Sequence, residues 1–346
     1  MSENIEMLSL AGLNLEELRK IVSDEGGSNY RATQIYNAIY LKSVKSISSI
    51  TELPLSFREQ LEKKYVLSDV VIKDKQVSMD GTIKFLFELS DGNYTEAVLM
   101  RFDNRSNLTA CVSTQVGCPM GCAFCATAKL GFKRNLSYSE ILKQIYLIQA
   151  DTGLKITNIV FMGQGEPLLN MDNLLEAVKR LREDFKVGSR RITVSTCGII
   201  PGIRKLAEIK FQPTIAFSLH SANPETREKI MPVEKKYKLK NVIDELKKLT
   251  IATGRRVTIE YTLMKGINDS VHDAKELSEL ISKLKCNVNL IVYNENELSD
   301  FKKPDKTSVM KFKCIVEASG KKVTVRLERG ADIDAACGQL SSKFNK

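Results

Sequence analysis

The sequence predicts an α/β fold in which a parallel sheet of six βα units follows a small helical module and a β extension. Three observations carry this. Short segments of strand character recur from about residue 108 onward, at 109–115, 156–162, 191–196, 214–219, 257–263 and 288–293. Longer helical patterns, among them 139–149, 171–181, 242–252 and 273–283, lie between them. Strands that alternate with helices in this way pair in parallel, and such sheets build ligand sites beyond the carboxyl ends of the strands. The residues with distinctive chemistry fall there.

The first hundred residues read differently. Leu15, Leu18, Ile21 and Val22 share one helical face, and the pattern stops at Gly26 and Gly27. A second helical pattern covers 31–41, with Ile35 and Ile39 on its apolar side. After Pro54 a short helix at 57–65 leads into alternating segments at 70–77 and 82–89, and Asp80 with Gly81 and Asp91 with Gly92 stand where hairpin turns belong. The chain therefore divides into a helical module over 1–66, a β extension over 67–107 and a core over 108–346.

Composition narrows the function. With 346 residues, 43% hydrophobic and 27% charged, neither wholesale disorder nor a fibrous repeat fits. Fifty-two Lys and Arg against 42 Asp and Glu leave a net charge of +10, which favours a polyanion such as nucleic acid as partner, although small anions also suit basic enzymes. The first twenty residues carry Glu3 and Glu6 and no long apolar run, and no stretch approaches the roughly 18 apolar residues of a membrane span. A cytoplasmic protein that does not enter a membrane is expected, with a monomer as the default. Eight Cys are too few for a disulfide scaffold and point to metal binding or catalysis.

Cys118, Cys122 and Cys125 follow the first predicted strand in a CxxxCxxC loop with Gly117, Pro119 and Gly121. Three thiolates at this spacing can hold three corners of a cubane iron–sulfur cluster and leave the fourth iron open to a small chelating molecule. A structural zinc site is the alternative, but zinc takes four closed ligands and the chain has only two His, His220 and His272. Phe124 suits an adenine neighbour or plain packing. After the second predicted strand, Gly165 frees the backbone and Glu166 can accept hydrogen bonds from an ammonium group, where a simple Gly-Glu-Pro turn is the bland reading.

Ser195, Ser218 and His220, and Asn294 stand at the ends of the third, fourth and sixth predicted strands and offer donors and acceptors for a ribose or adenine. Near the C-terminus Cys337 lies between Ala336 and Gly338, small neighbours that leave a nucleophilic sulfur accessible. Cys111 lies near the start of the first predicted strand. The two could form a disulfide if they meet, or both could be buried small hydrophobes, the reading given to Cys197, Cys286 and Cys314.

Taken together, Cys111 to Cys118, Gly165 to Asn170, Arg190 to Thr196, Ser218 to His220 and above all Asp332 to Leu340 resemble the RlmN family of radical S-adenosylmethionine RNA methyltransferases, with its sister group Cfr. The resemblance runs over nearly the whole chain. It implies a radical S-adenosylmethionine partial (β/α)6 barrel and a [4Fe-4S] cluster on Cys118, Cys122 and Cys125. Gly165, Glu166, Ser195, Ser218, Leu219, His220 and Asn294 would then contact S-adenosylmethionine, of which two molecules are used per turnover. The first methylates Cys337. The second is cleaved to a 5′-deoxyadenosyl radical that takes a hydrogen from that methyl, and the carbon radical adds to an adenine. Cys111 then attacks the Cys337 sulfur, forming a disulfide, while Glu96 or Cys111 takes the ring proton; Glu96 could equally be a solvated strand residue.

The implied substrates are an adenosine of 23S ribosomal RNA, methylated at carbon 2, and an adenosine beside the anticodon of certain tRNAs, with an external electron donor reducing the cluster. Methylation at carbon 8, as in the Cfr group, is the nearest alternative. A radical enzyme acting on protein or small molecules and a zinc-stapled RNA-binding module are more distant ones. Arg101, Arg105, Lys129, Lys133 and Arg134 around the cluster loop, with Arg326 and Arg329 ahead of Cys337, would meet RNA phosphates. The lysines of 235–240 read first as a solvated face, and the helical module is expected to help recognise folded RNA. Two positions depart from the family pattern: Gln164 stands where Met is usual, and Glu295 follows Asn294 where Pro is common.

Overall fold

The computed structural model describes residues 7–101, 107–296, 298–326 and 328–341. Its centre is one ten-stranded sheet: β1 (Val71–Val77), β2 (Ile83–Glu88), β3 (Tyr94–Arg101), β4 (Leu108–Cys111), β5 (Asn158–Phe161), β6 (Ile192–Thr196), β7 (Thr214–Ser218), β8 (Val257–Leu263), β9 (Cys286–Val292) and β10 (Val323–Arg326). In space they follow the same order as in sequence, from β1 at one edge to β10 at the other. The strands from β4 to β10 run parallel, and β1 to β3 extend the sheet antiparallel past β4. Gly81 and Gly92 take left-handed backbone at the two expected hairpin turns.

Two strands differ from the sequence expectation. The first core strand stops at Cys111 rather than at 115, so Cys111 closes this strand instead of opening it. After Val112 the chain leaves the sheet, because the amides of Thr114 and Gln115 turn onto the Gln164 carbonyl (2.9 and 3.3 Å). Gln115–Gly117 then pairs with Phe132–Asn135 in a separate antiparallel ribbon. The second difference is β10, a seventh parallel strand that continues the six expected; with four residues and, among the described residues, no α-helix after it, it left little periodic signal.

Side chains alternate across a strand, and residues paired between neighbours share a face. One face of the sheet carries Ala97, Leu99, Ala110, Ile159, Phe161, Val194, Ile215, Phe217, Ile259, Tyr261, Val288 and Leu290, all buried in a single core. Helices Tyr138–Thr152, Met171–Glu183, Ile200–Glu208, Leu239–Thr253, Val271–Ile281 and Lys306–Ala318 contribute their apolar sides to that core. The pairings Leu86 with Glu96, Val98 with Cys111, Cys111 with Val160, Ser218 with Glu260 and Glu260 with Asn289 place the polar residues on the other face. That face carries the site.

Local signals fix the helices that support it. Ser137 and Glu140 form a reciprocal capping box at the start of Tyr138–Thr152, and Gly153 ends that helix in left-handed backbone. In the N-terminal module helix Leu15–Asp24 starts at a capping box of Asn14 and Glu17 and buries Leu18 and Val22. The second helix, Asn29–Asn37, passes into a wide turn over Ala38–Lys42, and the third, Leu55–Glu62, ends before Tyr65, which pairs with Leu8 instead. Among the described residues no helix is long and apolar enough to cross a membrane.

One buried cation docks the module onto the core. Arg180 pairs with Asp184 and donates to the carbonyls of Gly12 (3.1 Å) and Leu13 (2.7 Å), while Tyr36 donates its hydroxyl proton to Asp184. Removing one partner of a buried pair strands the other's charge at a cost of about 3–5 kcal/mol. Arg180→Ala is therefore expected to lower unfolding stability by about that amount, read as a fall in the urea midpoint of the full chain.

Candidate active site

The cysteine loop is built by its glycines and by backbone bonds to three other segments. Gly117 holds φ near +73°, and a Cβ there would stand 1.9 Å from the Gly131 carbonyl oxygen, so only glycine fits where the ribbon closes. Cys118 donates its amide to Gly131 (2.8 Å), Ala123 to Ile230 (2.9 Å) and Ala126 to Gly338 (2.8 Å). The loop is thus stitched to its own return strand, to the segment after β7 and to the C-terminal loop.

Burial pushes all three thiols up, Cys118 to about 12, and each is raised further by the charge of its cysteine neighbours. Among the described residues no three His, Cys, Asp or Glu side chains already stand in metal-ligating geometry. The donor chemistry nevertheless fits a cluster. Three soft thiols in one short loop repel one another as thiolates in an apolar setting, and binding iron is what offsets both costs. Glu166 and Cys197 also bear on Cys122, but Cys197 is held by the Glu166 carboxyl.

Glu166 is 3% exposed; its carboxyl accepts from the amides of Leu168 (3.0 Å) and Cys197 (2.8 Å), and burial raises its pKa above the ordinary range. Gly165, at φ near +101°, lets the chain pass where a Cβ would strike the Gln115 side chain at 2.6 Å. Ser195 and Ser218 face each other with hydroxyls 3.4 Å apart. Leu219 is fully buried, its amide on Glu260 and its carbonyl under Arg227. His220 sits in left-handed backbone, accepts the Thr262 amide on Nδ1 (2.9 Å) and meets the edge of Phe124 at 5.0 Å. Burial, aided by Arg227, depresses its pKa to about 3, so it is a neutral donor through Nε2. Asn294 donates to the Cys337 carbonyl (3.2 Å), so its amide is turned to the C-terminal loop.

Cys337 is exposed, between buried Ala336 and the left-handed Gly338. Its loop is pinned by Thr127 on the Leu340 carbonyl (2.7 Å) and by Gln339, which accepts the Ala336 amide (3.0 Å) and donates to the Glu295 carbonyl (2.9 Å). Cys111 is buried in a small cluster with Val98, Ala335 and Leu340, which brackets Cys337 from both sides. Burial pushes the Cys111 thiol up to about 12, with a further contribution from Cys337. Both cysteines are free thiols. Glu96 lies on the same sheet face, with Gln164 Nε2 3.4 Å and Lys84 Nζ 3.8 Å away.

The basic residues divide. Arg101, Lys129 and Lys133 are exposed. Arg134 is committed to Glu140 (2.8 Å) and Asp91 (2.6 Å), and Arg329 to Asp80, so these two serve the fold, contrary to their reading as phosphate contacts. Arg326 likewise points inward: it stands 3.7 Å from the buried Glu260 and faces Cys337 and Cys111, which raise its pKa. Arg105 lies outside the described residues. The sequence does not single out Lys84 or Glu260 and offers Arg326 only as a phosphate contact; stepping by two from Glu96, Ser218 and Asn289 across the strand pairings places all three on the site face.

Residues 112–280 match the Radical SAM superfamily, and residues 8–67 match the ribosomal RNA large subunit methyltransferase N-terminal domain. A protein of Prochlorococcus marinus (strain MIT 9515), described as a probable dual-specificity RNA methyltransferase RlmN, is 44% identical over 343 residues, 96% of this chain and 98% of that protein. The chain belongs to the RlmN family. The RlmN protein of Bacillus subtilis (strain 168), described in the same words, is 40% identical over 98% of this chain and 94% of its own length. A crystal structure of a radical SAM methyltransferase from Sphaerobacter thermophilus superposes with a TM-score of 0.91 at 38% identity, covering 97% of this chain and all of that one. The radical S-adenosylmethionine fold expected from the sequence is borne out.

The neutral His220 has a measurable consequence. An unfolded chain protonates this imidazole below about pH 6.5, whereas the folded one resists down to about 3. Its contribution is present above pH 6.5 and is lost as pH falls below it, at up to about 1.4 kcal/mol per pH unit. Urea unfolding between pH 7 and pH 5 is expected to show this slope flattened in His220→Gln. An unchanged slope would place the imidazole in water.

Proposed function

We propose that this RlmN family chain methylates carbon 2 of an adenosine in 23S ribosomal RNA and of the adenosine beside the anticodon in certain tRNAs, through a methylated Cys337 and a disulfide with Cys111. The observation that carries it is the convergence of the exposed Cys337 loop on the sheet face of Cys111 and Glu96: Ala335 and Leu340 pack on Cys111, Lys84 lies between Glu96 and the Asp334 carbonyl, and Gly338 accepts the amide of Ala126 beside Cys125. Cys118, Cys122 and Cys125 would hold the [4Fe-4S] cluster, whose reduced form supplies the electron that splits S-adenosylmethionine. Glu166 would take the methionyl ammonium, which restores the charge that burial disfavours, and Ser195, Ser218, His220 and Asn294 lie where they can meet the ribose and adenine.

The two cysteines divide the work by exposure. Cys337 is open to receive a methyl from the first S-adenosylmethionine. Once that methyl has lost a hydrogen atom to the 5′-deoxyadenosyl radical, its carbon bonds to the adenine ring. The ring proton leaves, and one electron passes to an external acceptor. Glu96, on the same sheet face as Cys111 and 3.8 Å from the Lys84 ammonium, would accept that proton. Cys111 then attacks the Cys337 sulfur: the sulfur–sulfur bond forms, the sulfur–carbon bond breaks, and the thiol proton ends on the carbon that becomes the methyl group. Arg326 faces both sulfurs and favours the charge that develops.

Exposed Arg101, Lys129 and Lys133, with the helical module that ends near residue 66, would meet the RNA backbone. A single copy of the chain contains every group named.

Anaerobic reaction of the cluster-loaded chain with S-adenosylmethionine, reductant and unmodified ribosomal RNA or tRNA tests this by nucleoside mass spectrometry. 2-Methyladenosine is expected, and none with Cys337→Ala; 8-methyladenosine would move the chain to the Cfr reaction. Cys111→Ala is expected to trap a covalent RNA adduct visible on a denaturing gel. Glu96→Gln is expected to slow product formation by about 100-fold or more.

A further inference from the structure

The group that ties this site together comes from the β extension. Lys84, on β2, is only 12% exposed at its side chain, and its ammonium reaches two parts of the site at once. On one side it stands 3.8 Å from Glu96 Oε1 across the strand pair. On the other it points at the Asp334 carbonyl oxygen, 3.5 Å away, three residues before Cys337. Asp334 is itself in left-handed backbone at φ 51°, a conformation a non-glycine residue keeps only when its surroundings hold it.

The hairpin tip beside Lys84 latches the same loop. Ser78 donates to Asp332 Oδ1 (2.6 Å) and the Met79 amide to Asp332 Oδ2 (3.2 Å), while Asp80 Oδ2 accepts the Gly330 amide (3.1 Å). Gly330 packs onto Thr82, whose Cγ2 a Cβ there would meet at 2.9 Å. The hairpin and the catalytic-cysteine loop are thus one assembly, and Lys84 is its charged member on the site face.

We propose that Lys84 is a positioning residue that holds the Glu96 carboxylate and the Cys337 loop in one geometry, so that the proton acceptor and the methyl carrier stay in register with each other and with Cys111. The roles of Glu96 and Cys337 rest on the function proposed above; the placement of the loop does not. An ammonium is a compact point charge with three rotatable donors, which suits bridging a carboxylate and a carbonyl that are not coplanar. A neutral side chain of similar length fills the space and loses both attractions.

Two measurements on the cluster-loaded full chain test this. The first is the equilibrium constant of the disulfide between Cys111 and Cys337 in a glutathione redox buffer, read by peptide mass spectrometry, which needs neither RNA nor turnover. Lys84→Met is expected to lower it about tenfold, the worth of a hydrogen bond to a charged group, and Lys84→Arg to restore most of the loss. The second is RNA methylation, in which Lys84→Met is expected to reduce kcat about tenfold or more with the KM for RNA nearly unchanged. A disulfide constant within twofold of wild type in Lys84→Met overturns the proposal, as does a loss that Lys84→Arg fails to restore, which marks a merely structural lysine. If the wild-type chain methylates no adenosine, the functional reading falls, and the disulfide measurement still decides the role of Lys84.

Discussion

The register of the ten-stranded sheet is the constraint on which the site depends. Its strands follow chain order, each pairing with the next, and alternation by two sends every second residue to the open face. A slip of one residue in β3 or β4 would exchange Glu96 and Cys111 for Ala97 and Ala110, and place a carboxylate and a thiol in the apolar core. The apolar residues under the helices therefore do more than stabilise: their burial makes the register unique. The site inherits its precision from that core.

Strand ends carry the polar groups of the site, and buried charge fixes them in place. Arg227 is fully buried, paired to Glu234 (2.6 Å), and donates to the carbonyls of Cys197 (2.8 Å) and Leu219 (3.1 Å). It joins the ends of β6 and β7, where Ser195, Ser218 and His220 cluster, and its charge helps to keep His220 neutral. A buried ion pair of this kind is weak support for stability, because desolvation consumes much of its attraction. Its value here is geometric, since a guanidinium that satisfies two carbonyls from adjacent strands leaves those ends one arrangement.

Much of this was legible in the chain, and the rest was hidden for a physical reason. The CxxxCxxC loop, the Gly-Glu-Pro turn and the segment around Cys337 stand out because each concentrates unusual residues in a few positions. The parallel core showed itself through period, and its strands at 257–263 and 192–196 fell where the pattern placed them, to within a residue. Lys84 did not show, and Arg326 showed only as a phosphate contact, because a single charged residue in a strand is ordinary until the neighbouring strand is known. The basic residues misled in the opposite direction. Local sequence cannot tell that Arg134 is spent on Glu140 and Asp91, since Asp91 reaches it from a hairpin more than forty residues away.

The cysteines gathered at this site differ chiefly in burial. Cys118, Cys122 and Cys125 lie in a loop where burial keeps free thiols protonated until a metal claims them. Cys111 is shielded in an apolar cluster and is a poor nucleophile at rest. Cys337 alone among the five is exposed, on a loop that the β extension, the cluster segment and the loop after β9 hold from three directions. An electrophile arriving from solvent therefore meets Cys337 first, and in the mechanism proposed above Cys111 would act on what Cys337 carries. The order of events would then follow from the difference in burial.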